Sequence, residues 1–190
     1  MLLYIHGFNS SNQSDKAVQT AQYIQQHYPN LTFHQPQIPT SIHAAMALLT
    51  ALTERAVAEG EPLRFIGSSL GGYFASFLAE KYGGKAVLVN PAVKPYDLFE
   101  EFLGDQYNPY TGEHYQVVDE DRLAVAEYDT NVICHPDRFL VLLQTGDEVL
   151  DYRQALHKYH SCELHLEPGG DHSFVGYEQQ LDRICNFIQL

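Results

Sequence analysis

The chain is poor in positive charge. Its 190 residues hold 11 Lys and Arg against 24 Asp and Glu, a formal net charge of −13, and the basic residues form no run. This argues against nucleic acid or an anionic membrane as a partner, since both require clustered Lys and Arg. Cysteine is almost as scarce. Cys134, Cys162 and Cys185 are odd in number, widely spaced and without a C-x-x-C pair, so they read as reduced thiols in a cytoplasmic protein. No apolar run approaches the roughly 18 residues of a membrane span. The opening MLLYIHGF lacks the basic start, apolar stretch and small-residue cleavage site of a secretory signal. Repeats and low-complexity segments are also missing. The expectation is an acidic, cytoplasmic, single domain over residues 1–190, large enough to bury a substantial core.

The composition that remains, 45% hydrophobic and 18% charged, is that of a globular chain. Strand candidates are LLYIH (2–6), LTFHQ (31–35), LRFIG (63–67), KAVLVN (85–90), FLVLLQ (139–144) and CELHLE (162–167). Several are nearly continuous apolar runs, as in strands covered on both faces. Helical patterns lie between them: 14–28 after Ser14, 41–59 after Thr40, and 70–82 ending at Gly83-Gly84. A last apolar stripe runs through Tyr177, Leu181, Ile184 and Ile188. Such alternation predicts an α/β fold with a parallel sheet and right-handed crossovers.

Residues 94–131 break the alternation. They carry ten acids, two bases (Lys94, Arg122) and seven aromatics. A segment this long inside a compact alternation reads as a lid or cap. Its aromatics are expected to face a pocket and its carboxylates to face water.

The stretch FIGSSLGGYF (65–74) carries the chemical signal. Only Ser69 sits at the centre of G-x-S-x-G, flanked by Gly67 and Gly71. That spacing belongs to a sharp strand-to-helix turn that holds a serine in strained backbone angles, where residues two before and two after must lack a side chain. Ser68 is expected to bond nearby backbone. A serine hydroxyl needs a base. His172, in EPGGDHSF after a strand, has the right place; His6 is the rival. The base needs an acid to fix its tautomer. TGDEVLDY offers Asp147, Glu148 and Asp151. Asp147 is nearest the strand end, Asp151 reads as a helix cap, and Glu148 as a solvated neighbour. The chain order Ser69, Asp147, His172 is that of α/β-hydrolases. An oxyanion would be held by the N–H groups of Leu70 and of Phe8 in HGFNSS. Further substrate contacts are expected from His6, Gly7 and Asn9 in that loop, and from Tyr96, Phe99 and Tyr110 in the 94–131 segment.

LLYIHGFNSS, IGSSLGGYFA, VNPAVKPYDL, NPYTGEHY, QTGDEVLDYRQA and GGDHSF together resemble the YqiA-type bacterial esterases, small α/β-hydrolases, over almost the whole chain. The resemblance implies a cytoplasmic carboxylic-ester or thioester hydrolase with Ser69, Asp147 and His172 as its triad, acting on a small-molecule acyl substrate without metal or cofactor. The antiparallel hairpin that opens the sheet of larger hydrolases has no room before LLYIH. About six strands, all parallel and in the order 2-1-3-4-5-6, are therefore expected.

Other constellations are weaker. His157 and His160 in HKYH have a spacing that can bind metal but no obvious third ligand. The acid run at 119–121 lacks the spacing of a calcium loop. Cys134 and His135 sit in a loop as neighbours, and no Lys-Ser/Thr follows the glycines to make a phosphate loop.

Overall fold

The computed structural model describes residues 1–190, with the side chain of Glu100 left aside. Its main sheet contains β1 (Leu2–Ile5), β2 (Phe33–His34), β3 (Arg64–Ser68), β4 (Lys85–Val89), β7 (Phe139–Gln144) and β8 (Glu163–Glu167). All pairs are parallel. The spatial order is β2-β1-β3-β4-β7-β8, which is 2-1-3-4-5-6 when only the six strands of this sheet are counted, as expected.

The strands are apolar throughout because both faces are covered, and their period of two divides the core. Leu3, Ile5, Phe65, Leu88, Val141 and Leu143 point to the face packed by α2 (Ile42–Ala58), α3 (Leu70–Tyr82) and α6 (Tyr152–Lys158). Leu2, Tyr4, Ile66, Val87, Leu140 and Leu142 meet α1 (Asp15–His27) and α7 (Leu181–Phe187) on the other. Burial of each such side chain contributes about 1.5–3 kcal/mol.

Helix ends follow the punctuation in the sequence. α3 stops at Gly83, whose φ of 88° suits glycine. Asp151 caps α6 by accepting from the Arg153 N–H at 3.0 Å. The cap of α2 is Ser41 rather than Thr40, its hydroxyl accepting from Ala44 N–H. Ser14 holds the cap position of α1, but its hydroxyl makes no cap bond. No helix among the described residues is long and apolar enough to cross a membrane.

Within the segment between β4 and β7 a short helix α4 (Phe99–Phe102) precedes an antiparallel hairpin, β5 (Gly104–Tyr107) and β6 (His114–Val117), and α5 (Asp119–Ala126). The expected division of labour in this segment is only half present. Apart from Asp129, its described carboxylates are exposed or nearly so. Its aromatics, however, mainly anchor the segment to the body. Phe99 is buried in the core. Phe102 packs on Phe8 with ring centroids 5.2 Å apart. Tyr128 meets Phe74 and Phe77 edge-on. Tyr96 donates to Asp129 at 2.7 Å, and Tyr115 to the Asn9 side chain at 2.6 Å. Burying an aromatic face against the core outweighs leaving it over an open cleft.

Candidate active site

The elbow between β3 and α3 is where the backbone is forced. Ser69 has φ 55° and ψ −122°, angles that a residue with a side chain adopts only under constraint. The constraint comes from crowding on both sides. A Cβ on Gly71 would fall on the Ile5 carbonyl of β1, and one on Gly67 would fall on the Gly71 carbonyl and within 2.7 Å of the Gly72 nitrogen. The turn is held from β4 as well, because Ser69 N–H donates to Val89 O at 3.0 Å and Ser69 O accepts from Ala92 N–H at 3.1 Å.

Ser69 Oγ lies 3.1 Å from His172 Nε2. On the far side of the ring, His172 Nδ1 stands 3.0 and 2.9 Å from the two carboxylate oxygens of Asp147. That carboxylate is 2% exposed, so it depends on partners. Burial alone would raise its pKa. The bond to His172 and the N–H groups of Leu150 and Val149 outweigh burial and hold it below the ordinary carboxylate value. With Nδ1–H turned to Asp147, Nε2 is left facing the serine as acceptor.

The three side chains come from three loops, and a polar scaffold fixes two of them. Asn90, just after β4, is 2% exposed. Its amide donates to the carbonyls of Asp171 (3.0 Å) and His172 (3.3 Å) and accepts from Gln144 N–H. The Gln144 side chain accepts from Asp171 and Val175 N–H and donates to Val175 O. Glu148 is solvent-exposed, as expected, and also accepts from His172 N–H at 3.0 Å, so it supports the histidine loop. Lys16 of α1 donates to Ser173 O at 2.7 Å. Asn90 and Gln144 lie in VNPAVKPYDL and QTGDEVLDYRQA, stretches that carry the family resemblance, but nothing in the sequence assigned them this bracing role, and Lys16 lies in none of those stretches.

Gly7 abuts the serine, since a Cβ there would stand 3.1 Å from Ser69 Cβ. The N–H groups of Phe8 and Leu70 have no backbone acceptor among the described residues. For Leu70 this follows from its place as the first residue of α3. His6 sets the loop. Its Nδ1 bonds Gly7 O at 2.9 Å and its Nε2 accepts from Ile38 N–H at 2.9 Å. Both ring nitrogens are thereby occupied, which removes His6 as a rival base.

A cleft of about 480 Å³ opens over these groups, lined by His6, Gly7, Phe8, Asn9, Ser69, Tyr110 and His172 among others. Ser68 also lines it. Its hydroxyl makes no hydrogen bond to backbone among the described residues, contrary to expectation. The expected contacts from the 94–131 segment come down to Tyr110. Tyr96 and Phe99 do not line the cleft, for the anchoring reasons above, and the Asn9 amide is engaged at both ends by Gln106 and Tyr115. A larger cavity of about 600 Å³ lies beside α6, lined by Lys94, Asp129, His157 and Lys158, and includes none of Ser69, Asp147 or His172. His160 Nδ1 there bonds His157 O at 2.9 Å. Among the described residues no three His, Cys, Asp or Glu side chains gather as a metal would require.

An open parallel sheet in this strand order, with a strained serine at the turn after β3, defines the α/β-hydrolase fold. Residues 1–189 match the family described as "Uncharacterised protein family (UPF0227)", and the chain belongs to it. The chain is 28% identical over 195 residues to the UPF0227 protein YcfP of Salmonella gallinarum, covering 100% of this chain and 99% of that protein. Among solved structures it is similar to a monoacylglycerol lipase from Paleococcus ferrophilus, with a TM-score of 0.72 at 14% identity over 98% of this chain and 94% of that one. It is also similar to Est1E from Butyrivibrio proteoclasticus, solved with ferulic acid bound, with a TM-score of 0.67 at 15% identity over 98% and 86%. At these identities the solved structures share the fold. The family agrees with the YqiA-type resemblance of the motifs.

Proposed function

We propose that the protein is a cytoplasmic serine hydrolase of carboxylic esters, working through Ser69, His172 and Asp147. The observation that carries this is the unbroken hydrogen-bonded chain from Asp147 through His172 to a serine in strained geometry. His172 Nε2 takes the Ser69 proton as Oγ attacks the acyl carbon, and the N–H groups of Phe8 and Leu70 receive the oxyanion. The imidazolium, stabilised by Asp147, gives its proton to the departing alkoxide. Water, deprotonated by His172, then attacks the acyl-enzyme, and Ser69 regains a proton as the carboxylic acid leaves. No metal or cofactor enters these steps.

The leaving oxygen must lie within reach of His172, so the alcohol occupies the main cleft and the acyl group the opposite side of Ser69. We assign the acyl group to a slot of about 30 Å³ between Gly7, Phe8, Leu70, Ile42 and Phe74, which does not itself include Ser69 but is bounded by Gly7 and Leu70 beside it. It has room for about one or two groups the size of water, which suits an acetyl or propionyl chain. Asp15, Glu148 and Glu178 line the main cleft with Lys16 as the one ammonium, which favours neutral esters over the polyanionic thioesters of coenzyme A.

Turnover of p-nitrophenyl acetate, butyrate and hexanoate tests the reading. The acetate is expected to have the highest kcat/KM, falling roughly tenfold or more with each step in length, and Ser69→Ala to hydrolyse none. A preference for hexanoate would overturn the acyl assignment, and an active Ser69→Ala the mechanism.

A further inference from the structure

The α1 side of the main cleft holds polar atoms that the proposed chemistry does not use. Tyr4, on β1, is 1% exposed, and its hydroxyl is buried without a hydrogen-bond partner. The Oε1 of Gln19, on α1, is also buried and unpaired. Both residues line the cleft that contains Ser69 and His172. The other such atoms among the described residues, Gln35 Oε1 and Tyr159 OH, belong to residues outside it. The Ser14 hydroxyl sits beside Tyr4 outside hydrogen-bond geometry, and it is not spent as the cap of α1.

Buried polar groups are nearly always paired, and leaving one unpaired costs free energy. Phenylalanine would fill the place of Tyr4 without that cost. Tyr4 offers a donor and Gln19 an acceptor. An alcoholic hydroxyl is both at once and carries no charge, so one or two hydroxyls answer the pair, whereas a carboxylate would repel Gln19 Oε1 and an alkyl group would satisfy neither. The position suits a leaving group. Lys16, between Ser14 and Gln19 on the same stretch, is tied to the carbonyl of Ser173, the residue after His172. The polar patch and the base that protonates the departing oxygen are thus parts of one fastened wall.

We propose that Tyr4 and Gln19 form a subsite for hydroxyl groups of the leaving alcohol, so that the substrates are short-chain esters of polyhydroxy alcohols. This rests on the ester-hydrolase reading above and narrows it.

The test compares glycerol monoacetate with propyl acetate, which share a three-carbon alcohol and differ by two hydroxyls. For the wild type, kcat/KM is expected to favour glycerol monoacetate by roughly tenfold or more. In Tyr4→Phe the preference should shrink toward one, mainly through a higher KM for glycerol monoacetate, and Gln19→Met should do the same. Tyr4→Phe should melt no lower than the wild type, because the hydroxyl it removes has no partner, so a changed preference is not a folding defect. A wild-type ratio near one, or a ratio that survives both substitutions because the pair holds only ordered water, overturns the subsite while leaving the hydrolase reading intact. If neither ester is turned over and a fluorophosphonate fails to label Ser69, both fall together.

Discussion

His6 is the residue at which position and chemistry are most tightly joined. Its Nε2 accepts from Ile38 N–H, so a proton there would break the bond that holds the loop carrying Gly7 and Phe8. Burial lowers its pKa from 6.5, and the bond to the Gly7 carbonyl only partly opposes this. The unfolded chain therefore takes up a proton at this histidine at higher pH than the folded one does. Its contribution to stability is full above about pH 6.5 and is lost progressively as pH falls below it, with a limit of about 1.4 kcal/mol per pH unit for one proton. In thermal melts from about pH 7.5 to 5.5, His6→Gln should lose less stability than the wild type. Parallel curves would mean that His6 carries no proton linkage. The juxtaposition of Ser69, Asp147 and His172 was legible because each sits a few residues past a strand end. Asn90 and Gln144 were not, because their bonds reach loops 81 and 27 residues away, and no local pattern encodes such a distance.

At the scale of elements the sequence carried the main sheet almost completely. Nearly continuous apolar runs and the glycine stop after α3 are local signals, and they placed β1, β3, β4, β7 and α3 to within a residue or two. The segment between β4 and β7 was only partly legible. Its charge and aromatic content were plain, but the partner of each ring depends on tertiary contact, so Tyr96 and Phe99 were assigned to a pocket they do not line. Its aromatic anchors are joined by the ion pair of Asp129 with Lys158 at 3.1 Å, whose side chains are 11% and 9% exposed and to which Tyr96 bonds. Removing one partner of a pair this buried leaves an uncompensated charge. Asp129→Ala is expected to cost about 3 kcal/mol in urea unfolding, and Asp129→Ala with Lys158→Met to recover most of that loss. Equal losses in the single and double variants would show that the pair does not fasten the segment.

For the whole molecule the dominant quantity is the net charge of −13. Much of it sits on the exposed carboxylates of the 94–131 segment, so a polyanionic substrate approaches against a repulsive field. Salt screens exposed charges. Raising it should increase kcat/KM for acetyl-coenzyme A relative to a neutral acetate ester, and an unchanged ratio would remove charge from the account of substrate choice.

The central claim is that Ser69, and not its neighbour Ser68, is the nucleophile. The most direct measurement is mass spectrometry of the intact protein and its peptides after treatment with a fluorophosphonate, applied to the wild type, Ser68→Ala and Ser69→Ala. The account predicts one adduct, on Ser69, in the wild type and in Ser68→Ala, and none in Ser69→Ala. An adduct that persists in Ser69→Ala, or that maps to Ser68, would contradict it.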